Sequence, residues 1–380
     1  MRLLPSTTLS GPRLMSSREL WVEDNLMSFN ATSDYAAGNA RVRVKYSTLL
    51  TRKDFIALSE APDLDSLFTQ LKTTPYGSYL ELAKDKELTA RRAAFLIRQR
   101  LSDEFHTIIN ASPDSVKNVI LQLYRMHEVN NLKAVLRGIV INSSWDKVRF
   151  VLFPFGPEGV LPTQAMVETG NVAQAVELLR GTPYYDTLAF AMNRYSAEQS
   201  LFPIEVALDL AYWRELWNDV KKLPREDQEY AARIIGSMLD MNNLMWAIRY
   251  SVYHKLSEEE VINYTLPFGY RVHDDSIRSI AAGAEITHIV KQVYPELRNV
   301  DDVLLDLHTG LPKLEMMLEK QIAQKCHGVF EGNPFQIGIP LGYLVLLDYE
   351  IRNLTVLIEA KANQVPVEKY NEFVTFDLIK

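Results

Sequence analysis

The chain has 380 residues, too many for one ordinary hydrophobic core, so two or three domains or a repeat array are expected. With 47% apolar and 23% charged residues the composition is globular, which excludes wholesale disorder and a collagen-like fibre. Forty-eight acidic against 41 basic side chains give a net charge of −7 and no general attraction for nucleic acid, and the single cysteine, Cys326, leaves no internal disulfide and no thiolate zinc cage.

The first 33 residues carry Arg2, Arg13 and Arg18 among serines, without the apolar stretch of a secretory signal. Pro5, Gly11 and Pro12 interrupt them, so a loose extension is expected, with Met27 a plausible alternative start. Helical spacing follows, with short helices predicted over residues 53–60 and 64–73 and then a Thr74-Pro75-Tyr76-Gly turn. Ser112-Pro113-Asp114 reads as an N-cap with proline at the first helical position. Val116, Val119, Ile120, Leu123 and Tyr124 then mark one apolar face of a helix reaching Ile141. Residues 148–155 alternate poorly and end in Pro-Phe-Gly, a connector more than a strand. Short helices are expected over 163–170 and 172–180, a long one over 223–253, and a last one from Pro340 to about residue 362. The apolar run 337–347 is too short to cross a bilayer, which takes about twenty residues. The fold class is all-α.

Self-comparison shows a period near 110. Glu128-Val-Asn-Asn131-Leu, Asp240-Met-Asn-Asn243-Leu and Glu350-Ile-Arg-Asn353-Leu read acid-x-x-Asn-Leu at separations of 112 and 110 residues. Six positions after each asparagine stand Arg137, Arg249 and Glu359, so the third copy reverses the charge. Thr74-Pro75-Tyr76 recurs as Thr182-Pro183-Tyr184, with Tyr294 a weaker third copy, and Pro154-Phe155-Gly156 recurs as Pro267-Phe268-Gly269. Three pseudo-symmetric helical repeats are expected at 34–153, 154–266 and 267–380, behind the extension at 1–33. One unit would bury its two apolar sides poorly, so the three should pack into a closed body.

Catalytic signatures are weak. There is no G-x-x-x-x-G-K-[ST] and no G-x-G-x-x-G, so nucleotide binding by this polypeptide is not expected. His127-Glu128-Val-Asn-Asn131 misses H-E-x-x-H by its second histidine. Asp301-Asp302 and His273-Asp274-Asp275 loosely resemble the aspartate-rich stretches of all-α diphosphate enzymes, but they lack the spacing, and Asp274 and Asp275 suit a helix start. No catalytic residue, cofactor or metal ligand is assigned. The repeated acid and asparagine either fix the register of packed helices or line a central cavity or partner surface, and Tyr76 and Tyr184 either pack a helix end or bind a partner.

Asp34-Tyr35-Ala-Ala-Gly-Asn-Ala-Arg41-Val-Arg43, with Leu49-Leu50 and the segment at Phe55, resembles the opening of the C subunit of the V-type or archaeal A-type ATPase/synthase, homologous to the d subunit of the eukaryotic enzyme. The resemblance extends from Asp34 to Val374 and rests on the order of the motifs more than on any one of them. It implies a funnel-shaped, non-catalytic rotor component of the central stalk on the cytoplasmic face. Its partners would be the central shaft, held in a socket, and the membrane proteolipid ring, linking ion transport mechanically to ATP turnover. Glu359 departs from the family's arginine and marks the third repeat as different. The alternatives are a free-standing helical-repeat scaffold and an all-α diphosphate-dependent enzyme. Whether H⁺ or Na⁺ is coupled is not legible.

Overall fold

The computed structural model describes residues 35–83 and 88–370, and the extension expected at 1–33 lies outside the described residues. The fold is all-helical, with no strand among the described residues. The first unit of chain holds α1 (residues 35–47), α2 (Arg52–Ser59), α3 (Leu64–Leu71), α4 (Gly77–Leu80), α5 (Ala90–Ala111), α6 (Asp114–Val140) and α7 (Trp145–Val148). The middle holds α8 (Thr163–Glu168), α9 (Val172–Glu177), α10 (Tyr185–Glu198), α11 (Phe202–Lys221), α12 (Arg225–Ala231) and α13 (Ser237–Val252). The last part holds α14 (Glu258–Asn263), α15 (Asp274–Ala281), α16 (Ile286–Val293), α17 (Val300–Val303), α18 (Leu307–Gly328), α19 (Gly338–Ala362) and α20 (Val367–Tyr370).

Local chemistry explains several of the boundaries. Thr51 with Asp54, and Ser257 with Glu260, form capping boxes that satisfy the first free N–H groups of α2 and α14. Asp63, Thr89 and Asn171 cap α3, α5 and α9 through their side-chain oxygens. Ser112 does not act as the expected cap. It is extended, as a residue before proline must be, and its Oγ turns back to donate to the Ile108 carbonyl at the end of α5. Pro113 is also extended (ψ 146°), so α6 starts one residue later than expected, at Asp114.

The helix predicted over 223–253 is interrupted. Between α12 and α13 the residues Ala232–Gly236 form a π-helical turn. A Cβ on Gly236 would stand 2.7 Å from the Tyr270 Cβ and 3.2 Å from the Trp217 ring, so the turn is packed closely on both sides. α19 begins at Gly338, two residues before Pro340, whose missing N–H costs nothing in a first turn. Pro312 lies inside α18, where it removes a bond to the His308 carbonyl. The Tyr253 hydroxyl donates to that carbonyl (3.4 Å) and to the Leu307 carbonyl (3.1 Å) instead.

Seven of the described helices, with the π turn between α12 and α13, close into a cycle. α5 packs on α6, α6 on α11, α11 on α12 and the π turn, α13 on α18, α18 on α19, and α19 on α5. Neighbours run antiparallel: Arg137 near the end of α6 meets Glu205 near the start of α11, and Arg249 near the end of α13 meets Glu315 in the first half of α18. The ends of α6, α13 and α19 therefore gather at one rim with the starts of α5, α11 and α18. The two ends of the described chain are tied into this closure, the first at the α18–α19 connection and the last at the end of α2. Asn39 on α1 donates to the carbonyls of Pro334 and Gln336, Tyr46 stacks on Phe330 at 3.8 Å, and Tyr370 donates to the Ser59 carbonyl.

Candidate functional site

Each repeated asparagine or acid sits in the interior of its helix. Asn131 bridges the two main-chain groups of Phe153, donating to its carbonyl (2.8 Å) and accepting from its N–H (2.6 Å). Asn243 makes the same pair of bonds with Leu266, both 2.8 Å. Phe153 and Leu266 each precede the proline of a Pro-Phe-Gly turn. Such residues are held extended, and an amide fits the exposed pair of main-chain groups as a neighbouring strand would. Asn353 is buried at the same position of α19.

The acids accept at both oxygens. Glu128 accepts from the Val160 N–H on one oxygen (2.6 Å) and from the Tyr184 hydroxyl on the other (2.7 Å). Asp240 accepts from the N–H groups of Tyr270 and Arg271, both at 2.7 Å. Glu350 accepts from the Leu50 N–H (2.6 Å) and the Tyr76 hydroxyl (2.6 Å), and the Arg100 guanidinium reaches the same oxygen as Tyr76 at 3.2 Å. An amide in any of these places would point its NH₂ at a donor, which is why a carboxylate recurs. Burial pushes the carboxyls of Glu350 and Asp240 up, that of Asp240 to about 6, with the hydrogen bonds pulling back.

Pro75 and Pro183 lie exposed at the surface, whereas Tyr76 and Tyr184 are buried. In both turns the threonine hydroxyl accepts from the tyrosine N–H while donating to a helix-end carbonyl (Leu71, Leu179). Tyr294 is buried beside Asp240, whose charge adds to burial in raising the phenol's pKa. These contacts cross the expected repeat boundaries at 154 and 267: the acid of one copy meets the tyrosine of the next, and Glu350 of the last meets Tyr76 of the first.

The interior of the ring carries a second set of groups. The Asp348 charge is felt by Arg98 of α5, His127 of α6, Tyr212 of α11, and Glu319 and Arg352 around α18 and α19, so several ring helices converge on it. Burial lowers the His127 and Arg98 pKa values, and Asp348 opposes both shifts. His127 does not complete a metal site, since its ring stacks on Phe153 at 4.1 Å and Asn131 is engaged with that residue's backbone. A cavity of about 500 Å³ opens here between α5, α6 and α19, lined by Arg98, His127, Asn130, Asp348, Arg352 and Thr355 among others.

The rim pairs differ between sectors. Arg137 pairs with Glu205 and Lys133 with Asp209 (each 2.6 Å) across α6 and α11, and Arg249 pairs with Glu315 (2.5 Å) across α13 and α18. In the third sector Glu359 on α19 acts on Arg98 of α5 and shares an open cleft with Arg91 and Arg92. The charge reversal at 359 is thus matched by a reversal on its companion helix. Among the acid stretches, Asp274 begins α15 and pairs with Arg278, while Asp301 lies in the first turn of α17 and pairs with Lys291.

A family model described as ATP synthase (C/AC39) subunit matches residues 38–373. The chain belongs to that family. The match takes in all three acid–asparagine helices and both Thr-Pro-Tyr turns. The C subunit of the A-type ATP synthase of Methanocaldococcus jannaschii is 25% identical over 343 residues, covering 88% of this chain and 84% of the relative. Its counterpart in Methanobrevibacter smithii is 22% identical (86% and 84% covered), and that of a Desulfurococcus species 23% (89% and 90%). This C/AC39 family member has, among its described residues, no helix long and apolar enough to cross a membrane.

Sequence reasoning did not single out Arg98, Asp348, Tyr212, Glu319 or Arg352. One signal was present. A charge reversed at Glu359 on a paired helix requires a basic companion, and α5 with Arg91, Arg92 and Arg98 is the basic candidate.

Proposed function

We propose that this chain is the non-catalytic central-stalk adaptor of a V/A-type rotary ATPase or ATP synthase. In this reading the rim where α6, α13 and α19 end receives the foot of the central shaft in a socket of a funnel-shaped body. The opposite end rests on the membrane proteolipid ring at the cytoplasmic face, so the adaptor turns with the rotor and links ion translocation to ATP turnover. The single observation that carries the reading is the family match over residues 38–373.

The closed ring supports it mechanically. Transmitting torque requires a body that does not shear, and a closed cycle of packed helices tied by buried acid and asparagine bridges resists shear better than an open stack. Lacking a described membrane-spanning helix, the chain would reach the membrane through other proteins. The threefold organisation is part of the proposal, with contact units α6 to α11, α12 to α18, and α19 joined to α1 through α5. The motif residues Glu128, Asn131, Asp240, Asn243, Glu350, Asn353, Tyr76 and Tyr184 then act as internal ties, and Arg137, Arg249 and Glu359 stand at the shaft-facing rim.

Affinity purification of the tagged chain from detergent-solubilised membranes of its source, followed by crosslinking mass spectrometry, tests the reading. Co-purification of a rotary ATPase, with crosslinks from the rim to shaft proteins and from the opposite end to the proteolipid, is the expected result. A chain recovered alone or with unrelated partners would overturn it.

A further inference from the structure

The ring repeats one arrangement of charge twice and inverts it once. In the sectors α6/α11 and α13/α18 the motif helix carries the cation (Arg137, Lys133; Arg249) and its companion the anion (Glu205, Asp209; Glu315). In the sector α19/α5 the motif helix carries Glu359, exposed at the rim, and the companion carries Arg98, half-buried, at the position of Asp209 in α11 and Glu319 in α18. Arg98 is fixed in place by a bond from its Nη1 to the Val151 carbonyl (3.2 Å). The Glu359 charge acts on Arg98 without a direct ion pair, and the cleft beside it brings Arg91 and Arg92 to Glu359, so acid still faces base across α19 and α5 with the signs exchanged. What changes is the order of charge met on going once around the ring.

Shape marks the same sector. The cavity of about 500 Å³ lies between α19, α5 and the next helix, α6, and is lined by Arg98. An open cleft of about 590 Å³ lies beside it, between Arg91, Arg92, Asp146, Phe150 and Glu359. A helical body entering a ring of three similar sectors would meet three similar seats, and a rotor that settled in any of them would lose its angular register. Complementary charge is the usual means by which an interface selects one orientation among near-equivalents.

We propose that the Arg98–Glu359 sector is a rotational index, the one place in the ring where inverted charge order seats an entering helical partner in a single orientation out of three. The partner is an asymmetric helical foot that presents a basic side chain towards Glu359 and acidic ones towards Arg137 and Arg249. The proposal rests on the reading of the ring as the seat of a shaft.

The test uses the assembled ATPase containing this chain. A cysteine-directed photo-crosslinker is placed singly at Ile141→Cys, His254→Cys or Asn363→Cys, all exposed near the rim and one per sector, while the native Cys326 is buried and unreactive. In the parent chain each position is expected to join its own distinct set of shaft residues. The double variant Arg98→Asp/Glu359→Arg gives α5 and α19, at these two positions, the signs found on the companion and motif helices of the other two sectors. In it each position is expected to join the same mixed set, with yields within about twofold of one another. An unchanged, sector-specific pattern in the double variant would overturn the index. Should that variant fail to fold, Glu359→Arg alone, at an exposed position, is expected to mix the sets, and an unchanged pattern there counts equally against the proposal. Parent crosslinks to the shaft from none of the three positions would remove the shaft-seat reading itself and the index with it.

Discussion

At the scale of single residues, the interior of this protein is unusual in placing carboxylates where most proteins place nothing ionisable. Glu128, Asp240 and Glu350 are each at most 2% exposed, yet every oxygen of the three accepts a hydrogen bond. Leaving such donors unmet would cost about 1–3 kcal/mol apiece, which is the penalty the acids remove. Asp240 carries a pH consequence whose sign is fixed by its environment. Its pKa in the folded chain, about 6, lies above the value near 4 of an unfolded aspartate. The folded state therefore holds the proton more tightly. This contribution is fully present below pH ~4 and is lost as pH rises through about 6, amounting to about 3 kcal/mol across the window. Denaturant midpoints followed between pH 4.5 and 7.5 should fall more steeply for the parent chain than for Asp240→Asn, in which that titration is absent. Equal slopes would show that Asp240 does not titrate in this window.

At the scale of elements, the helices form where spacing and capping dictate, while the connecting turns are shaped by what they wrap. The two Pro-Phe-Gly turns fold over the acid–asparagine pair of the preceding helix, and each ends in a glycine for its own reason. Gly156 has φ +84°, in the left-handed region, and a Cβ there would lie 2.6 Å from the His106 ring. Gly269 is confined by contact, since a Cβ would stand 2.3 Å from the Val272 carbonyl oxygen and 2.4 Å from Asp240 Oδ1. Gly269→Ala must push the turn off Asp240, and a loss of about 2–4 kcal/mol in unfolding free energy is expected. A calorimetric midpoint within a degree of the parent's would refute that tight fit. The repeated motifs, the turn positions and the helices with a clear cap or apolar face were legible in the sequence because they are local, whereas α5, α10, α11 and α18 were not singled out there. The π-helical turn at Ala232–Gly236 was not, because it is set by the approach of Tyr270 and Trp217 from other elements.

For the whole molecule, closure depends on contacts between the two ends of the described chain. Glu350 is reached by Leu50 and Tyr76 from the beginning of the described chain, across 300 and 274 residues of sequence, and by the buried Arg100. Arg100 also lies 4.7 Å over the Tyr76 ring, so tyrosine, arginine and acid form one buried unit. Removing the acid strands a buried cation as well as two donors. Glu350→Ala is expected to cost about 3–5 kcal/mol, more than Glu128→Ala, which strands only the Tyr184 hydroxyl and the Val160 N–H. Equal losses in chemical denaturation would mean that the Arg100 pair adds nothing to closure.

The sequence by itself determined the all-helical class, the spacing of the three acid–asparagine helices, the altered sign at Glu359 and the resemblance to the C/AC39 family. Each of these is written in local periodicity or in the order of short motifs. Only the tertiary structure decided which tyrosine meets which acid, since three similar copies offer several equivalent pairings and local propensity does not choose among them. It also decided that Arg98 accompanies Glu359 and that Asp348 lies where several helices converge. Those facts depend on the ring being closed, and closure is a property of long-range packing.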